Sequence, residues 1–466
     1  MLFNIRELSP KIRDRSISPV ELTHECLNRI EKLNPKLNAF ITVTAESALE
    51  RARLAEREIY RGNYLGPLHG IPIGLKDNID TAGLRTTAAS ALFKDRVPTE
   101  DAEVVRRLRA GGAIFLGKQN LHEFAYGGSS MISYFGEVHN PWDTTRVAGG
   151  SSGGSAASVA ATLGFGAVGT DTAGSVRLPA AYCGVVGLKP TYARVSVRGV
   201  IPLSSSYDHV GPIANSVYDA ALMLQVMKTR TTADRSAEHS AEPSFISAFD
   251  QLPANLRVGV PRDFFFDNLH PDIAAASEKA IDIFRQLHAE IRDLKLRDFK
   301  MEVSTDRTLA SAEAYAYHEP FMSASPELYQ PATLARIQSG ATISASDALA
   351  ASRELQSSRN DIQKVFEEVD VLLTPTVPIP PPAIADLQSH PEDLRPQELL
   401  MLRNTRPFNV WGIPTISIPC GFTKDGLPIG LQLAAAPWRG VALLQAAQAY
   451  EQATDWHNKR PVLMKF

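Results

Sequence analysis

Gly149-Gly150-Ser151-Ser152-Gly153-Gly154-Ser155 is the densest local signal in the chain, and the Ala-rich segment Ala156 to Leu163 follows it without a break. A Gly/Ser run by itself usually makes a flexible linker. Here it feeds a segment that reads as a buried helix, which delivers free backbone N–H groups into a confined space. Two chemical readings compete with the linker. A phosphate-binding loop matches the Gly149 to Gly154 spacing but needs Lys next, and the chain has Ser155. A nucleophile elbow, G-x-S-x-G, fits both Ser151 and Ser152, yet the preceding Asp143-Thr144-Thr145-Arg146 is a poor strand. The local motif leaves linker and site both open.

Upstream, Ile71-Pro72-Ile73-Gly74-Leu75 reads as a short buried strand that runs straight into Lys76-Asp77-Asn78. A Lys at a buried strand end is costly unless paired or neutral, and desolvation moves its pKa toward that of a useful base. The plain alternative is an ammonium that reaches solvent on its apolar stem. Downstream, Asp171-Thr172-Ala173-Gly174-Ser175-Val176-Arg177 follows the small, apolar run Gly164 to Gly169. Small residues before a Ser let the backbone approach a substrate and aim successive N–H groups at one point, as an oxyanion hole requires. A turn capped by Asp171 explains the same residues. None of the eleven histidines falls in a metal-ligand spacing. His122, His139 and His209 remain candidates for a Ser-His arrangement.

The surrounding pattern is that of an α/β domain. Helix signals at Pro19 to Leu33 (capped by Ser18), Ala45 to Tyr60, Ala102 to Ala110, Pro271 to His288 and Ala442 to Ala453 alternate with apolar strand signals. The strands are read at Ala113 to Leu116, Leu256 to Val260, Val371 to Leu373, Ile416 to Pro419 and Ile429 to Ala434. The last two flank the turn signal Lys424-Asp425-Gly426. One domain over 1–466 is expected, with polar 229–255 as a surface excursion or linker. The chain has 466 residues, 44% hydrophobic and 21% charged, with a formal net charge of −3. That balance argues against disorder, against a nucleic-acid binder relying on a basic field, and against a polybasic membrane anchor. Three scattered cysteines make no disulfide framework, and the charged start Met1 to Ser16 is no secretory signal. The long uncharged run Val147 to Thr170 is too rich in Gly and Ser to span a bilayer. A soluble, cytoplasmic protein without metal or cofactor is expected.

Together these residues resemble the amidase signature family. The likeness runs through Gly70-Ile-Pro-Ile-Gly-Leu-Lys-Asp-Asn78, Val147-Ala-Gly-Gly-Ser-Ser-Gly-Gly-Ser-Ala156, Gly169-Thr-Asp-Thr-Ala-Gly-Ser-Val-Arg-Leu-Pro179 and Cys183-Gly-Val-Val-Gly-Leu-Lys-Pro-Thr191. It continues more weakly in Arg406-Pro-Phe-Asn409, Gly412-Ile-Pro414 and Gly426-Leu-Pro-Ile-Gly-Leu-Gln432. The resemblance implies a large mixed central β-sheet surrounded by α-helices. It also implies a Ser–Ser–Lys triad: Ser175 as nucleophile, Ser151 on a cis peptide as the bridge, Lys76 as base. The N–H groups of Thr172, Ala173, Gly174 and Ser175 would stabilise the oxyanion, Tyr126-Gly127-Gly128 would border the acyl site, and Asp171 and Arg177 would act as structural supports. Many members have Gly where this chain has Ala173, whose methyl narrows the pocket and restricts φ.

By this resemblance the expected activity is hydrolysis of a carboxylic amide C–N bond through a Ser acyl-enzyme. The expected substrate is a small amide or carbamate, with no nucleic acid and no membrane involved and a homodimer left open. Carbamate or urea-type bonds are accessible to the same acyl chemistry. An alternative of a different class is the glutaminase-type amidase subunit of a tRNA-dependent amidotransferase. Such subunits usually show a Tyr-rich segment before an Arg in the region matching Ala332 to Gln363, and the tyrosines are absent here. Phe408, Trp411 and Ile413 could form an apolar substrate wall, although core packing explains them as well.

Overall fold

The computed structural model describes residues 4–228, 244–246, 249, 255–296 and 300–464, without the side chains of 300–305 and 464. The excursion expected at 229–255 therefore lies almost wholly outside the described residues.

Eleven strands form one sheet. In chain order they are β1 (Phe40–Val43), β2 (Pro72–Lys76), β3 (Ile114–Gln119), β4 (Gly166–Asp171), β5 (Val186–Lys189), β6 (His209–Ala214), β7 (Arg257–Pro261), β8 (Glu290–Leu294), β9 (Val371–Pro375), β10 (Thr415–Phe422) and β11 (Pro428–Ala435). Their spatial order is β1-β3-β2-β4-β6-β5-β10-β11-β9-β7-β8. The trio β3-β2-β4 is parallel, as is β9-β7-β8, and antiparallel strands join the two groups. The sheet is mixed, as expected. Lys424-Asp425-Gly426 does turn the chain between β10 and β11, which pair from Thr415 with Ala434 to Phe422 with Pro428, with a register shift between Pro419 and Gly421.

The inner strands are buried on both faces, so they carry few of the alternating polar residues that mark a half-exposed strand. Helices supply the cover. Pro19–Leu37 begins at Ser18, whose hydroxyl accepts the Val20 and Glu21 N–H groups. It lays Leu22, Cys26, Ile30 and Leu33 against the core that also holds Ile71, Ile73 and Leu75 of the β2 segment. The Gly/Ser loop feeds the helix Gly153–Ala160, every residue of which is buried.

The parallel strands β2, β3 and β4 all end on one side of the sheet. Chain segments leaving the carboxyl ends of neighbouring parallel strands diverge and open a crevice there. The register of β2 on β4 pairs Ile73 with Gly166 and Leu75 with Val168, which brings Lys76 level with Gly169 and Thr170.

Candidate active site

Lys76 is the last residue of β2 and is fully buried. Its amine donates to Ser151 Oγ at 2.7 Å and to Thr170 Oγ1 at 2.7 Å, and it lies 3.4 Å from the Thr170 carbonyl oxygen. Burial pulls its pKa down from 10.5 to about 7, against an upward pull from Asp171 and Asp208. The next residue is clamped. Asp77 accepts the N–H (2.9 Å) and the hydroxyl of Thr87, and buried Lys118 lies 3.4 Å from its other oxygen. Lys118 also donates to the Ile79 carbonyl at 2.6 Å, so the chain just beyond Lys76 has little freedom.

Ser151 is fully buried beside the helix Gly153–Ala160, and the Gly150–Ser151 peptide is cis. Gly149 takes φ +78°, and a Cβ there would come within 3.0 Å of Pro179 Cα. The neighbouring Ser152 ties the loop to its surroundings: its N–H donates to the Ser175 carbonyl at 3.2 Å and its hydroxyl to the Thr170 carbonyl at 3.1 Å.

Ser175 lies between β4 and the helix Arg177–Cys183, and it lines a cavity of about 490 Å³. Asp171 shapes that loop. Its carboxylate accepts the Gly174 N–H (2.8 Å) and the Val176 N–H (3.1 Å) and receives both Nε and an Nη of Arg177 at 3.0 Å. The Arg177 guanidinium and these donors hold the Asp171 carboxyl well below the usual carboxylate range, despite complete burial. Arg177 continues to the Thr405 carbonyl and Gln432, locking the loop to the far half of the sheet. Gly174 takes φ +136°, and a Cβ there would run into Thr405 Oγ1. Only Gly fits.

These contacts refine the donor set expected for an oxyanion. The Gly174 N–H is committed to Asp171, so it is not available to a substrate. The N–H groups of Thr172, Ala173 and Ser175 are engaged by no other described residue, and all three residues line the cavity. Thr172 is steadied by its hydroxyl, which donates to Asp208 at 2.5 Å. Tyr126 and Gly127 line the same cavity, whereas Gly128 does not.

The three candidate histidines have other occupations. His122 is buried against Ser129, Glu398 and Arg336, and burial drops its pKa to about 3. His139 bonds the Thr144 carbonyl and His209 the Tyr207 carbonyl. Of the two readings of Phe408, Trp411 and Ile413, substrate wall and core packing, the structure shows core packing. All three pack into a core cluster with Phe265 and Leu372, and none of them lines the cavity. Sequence reading gave no role to Thr170, although it lies inside the quoted stretch Gly169 to Pro179, nor to Thr405 and Asp208, which sit in no recognisable spacing. Among the described residues no group of three or more His, Cys, Asp or Glu could hold a metal.

The family model "Amidase" matches residues 21–444. The chain belongs to the amidase family. This amidase is 40% identical to a glutamyl-tRNA(Gln) amidotransferase subunit of Geotalea daltonii, across 98% of this chain and 99% of that one. It superposes on a 6-aminohexanoate cyclic dimer hydrolase with a TM-score of 0.89 at 31% identity, covering 99% of both chains. On the corresponding glutamyl-tRNA(Gln) amidotransferase subunit of Thermotoga maritima the TM-score is 0.79 at 31% identity, covering 93% and 91%. The amidase is a hydrolase of amide C–N bonds, and its fold is the amidase signature fold.

One expectation is overturned. A self-sufficient chain acting on a small amide or carbamate, with no nucleic acid involved, does not agree with relatives that are subunits of a tRNA amidotransferase. The net charge of −3 excluded only a chain that grips nucleic acid by its own basic field. One member of a complex can leave that contact to the others. Among the described residues no helix is long and apolar enough to cross a membrane.

Proposed function

We propose that this amidase is the amide-cleaving subunit of an amidotransferase of the type its relatives are named for, with Ser175, Ser151 and Lys76 carrying the chemistry. The observation that carries this reading is the 2.7 Å contact between a buried amine of pKa about 7 and Ser151 Oγ. Neutral Lys76 takes the proton of Ser151 as Ser151 takes that of Ser175. Ser175 Oγ bonds to the amide carbon, and the negative charge on the former carbonyl oxygen falls to the N–H groups of Thr172, Ala173 and Ser175. The C–N bond then breaks, and the proton returns through Ser151 to the departing nitrogen. Ammonia or an amine leaves, and an ester remains on Ser175. Water adds to that ester, its proton follows the same relay, and cleavage of the C–O bond restores the Ser175 hydroxyl. Tyr126 and Gly127 border the acyl group, and Asp171 and Arg177 hold the loop.

The assembly half of the proposal is supported by 40% identity along nearly the full length of a named subunit. A cytoplasmic location fits such a role and the three unpaired, buried cysteines. We read 1–466 as one amidase domain, supported by a single sheet that takes strands from Phe40 to Ala435. The test is reconstitution: the chain replaces the corresponding subunit of a purified amidotransferase, and glutamine-dependent conversion of glutamyl-tRNA(Gln) is followed. Product formation that disappears with Ser175→Ala is expected. Hydrolysis of other amides with neither glutamine hydrolysis nor tRNA product would refute the subunit role and leave the amidase standing.

A further inference from the structure

Two carboxylates share the donors of one short turn of chain, Leu203-Ser204-Ser205-Ser206-Tyr207-Asp208. The turn folds back on itself, with the Ser204 carbonyl accepting the N–H groups of Tyr207 (3.1 Å) and Asp208 (2.8 Å). The first carboxylate is that of buried Asp208. One of its oxygens accepts the N–H groups of Leu203 (2.9 Å) and Ser204 (3.1 Å), and the other accepts the Thr172 hydroxyl at 2.5 Å. The second is Glu313, brought in by the helix Lys300–Ala324. It accepts the hydroxyls of Ser204, Ser205 (3.2 Å) and Ser206 (2.6 Å) and the Ser206 N–H (3.1 Å). Glu313 does not line the cavity, whereas Leu203 and Thr172 do. The same helix also reaches Tyr126, whose hydroxyl lies 3.0 Å from that of Ser311.

Four donors meeting on one carboxylate fix three consecutive residues, and a planar peptide turned at Ser204 carries its N–H with it. That N–H is one of the three donors that seat Asp208, and Asp208 in turn seats Thr172. Contact therefore runs without a break from Glu313 through Ser204 and Asp208 to the oxyanion loop. The turn has other ties: the Tyr192 hydroxyl donates to the Ser205 carbonyl and Arg359 to the Ser206 carbonyl, both at 2.7 Å. Those ties keep the turn folded without Glu313; what Glu313 adds is the aim of the Ser204 peptide. We infer that Glu313 is a positioning residue for amide cleavage, aiming the Thr172 N–H at the developing oxyanion by way of Ser204 and Asp208. An oxyanion donor acts where charge appears, so an error in its aim falls on the transition state and spares ground-state binding. This rests on the site reading above, with Ser175 as nucleophile and Thr172 among the donors, and adds to it a residue outside the cavity.

Ammonia release from glutamine, abolished by Ser175→Ala, is the reference reaction. Glu313→Ala should lower kcat about tenfold and leave KM within about twofold, the pattern of an interaction made only in the transition state. Glu313→Gln, equal in shape but uncharged, should keep most of kcat. Thr172→Val keeps the backbone N–H, loses the hydroxyl and should also lower kcat. Combined with Glu313→Ala it should be no slower than the slower single variant, because both cut the same chain of contacts. Losses that multiply, an unchanged kcat, or a raised KM at unchanged kcat overturn the inference. Should Glu313→Ala not fold, Ser204→Ala with Ser206→Ala cuts the chain from its other side, and an unchanged kcat there overturns it equally. Hydrogen exchange of the peptide spanning Thr172, read by mass spectrometry in the Ser175→Ala chain, needs no turnover. Glu313→Ala should quicken that exchange, and an unchanged rate overturns the inference whatever the substrate. Ammonia release that survives Ser175→Ala counts instead against the site reading, and exchange then decides the role of Glu313 alone.

Discussion

Lys76 offers the sharpest test of the proposed relay, because its ordinary and its catalytic behaviour differ in sign. A solvated Lys near pKa 10.5 would be neutral in roughly one molecule in 3,000 at pH 7. Burial brings Lys76 to about 7, so about half of the molecules hold a free amine at that pH. The shift corresponds to on the order of 5 kcal/mol in favour of the neutral form. The rate should therefore rise with pH along one limb, reaching about a tenth of its plateau at pH 6 and about nine-tenths at pH 8. The assay is ammonia release from an amide that does not itself titrate in this range, read as kcat/KM between pH 5 and 9. Lys76→Arg should lose roughly 10²–10⁴ in rate, since a guanidinium remains charged and accepts no proton. A flat profile down to pH 5, or near-wild-type turnover by a folded Lys76→Arg protein, refutes the relay.

The same shift makes a stability statement. Between about pH 7 and 10.5 the unfolded chain holds a proton on Lys76 that the folded chain does not. Stability from this group therefore rises with pH across that window, and the cost of burying the amine is fully felt below about 7. Lys76→Met carries no such cost. Denaturant unfolding at pH 9.5 and 6.5 should show the stability difference moving toward the Met variant at the lower pH. A difference that moves the other way means that Lys76 is charged in the folded protein.

Ser175→Ala should abolish the hydroxamate formed when hydroxylamine intercepts the acyl-enzyme, while His139→Ala keeps it; a His139 as essential as Ser175 would reopen a Ser-His mechanism. Gly174→Ala should be inactive and should stay so when Thr405→Gly takes away both Thr405 atoms a Cβ would strike, because φ +136° still opposes any Cβ; recovery in the double variant would show that only the clash matters. Asp208→Asn removes a charge that raises the Lys76 pKa, so its activity limb should move to lower pH, and a limb moved upward contradicts that electrostatic account.

Why some of this was legible and some was not follows from where each residue gets its constraint. Lys76, Ser151 and Ser175 stand where a strand stops or a helix starts, and their neighbours along the chain announce it. Strands such as β4 gave no such notice. Gly166 and Gly169 lack the branched side chains that mark a strand, and the space explains them: a Cβ at Gly166 would come within 2.5 Å of Met223 Sδ, one at Gly169 within 2.8 Å of Ser152 Oγ. The Gly174 donor was misread for a related reason, since only the folded loop shows Asp171 capturing its N–H.

The cavity wall is the hardest case. Arg395 lies on the helix Leu394–Met401, Arg406 after it, and Asp306 on the helix Lys300–Ala324, about a hundred residues earlier. Nothing local distinguishes these arginines from the solvated ones on other helices. A net charge of −3 is a sum over the whole surface and says nothing about the sign inside one cavity. The same net charge coexists with a cavity lined by Arg307, Arg336, Arg395 and Arg406 against one lining carboxylate, Asp306. The apolar residues nearest Arg406 in sequence, Phe408 and Trp411, spend their surface on the core. The cavity lining is assembled by the fold: Thr172 and Ala173 come from beside Ser175, whereas Arg395 and Arg406 come from far along the chain and carry no local mark of it.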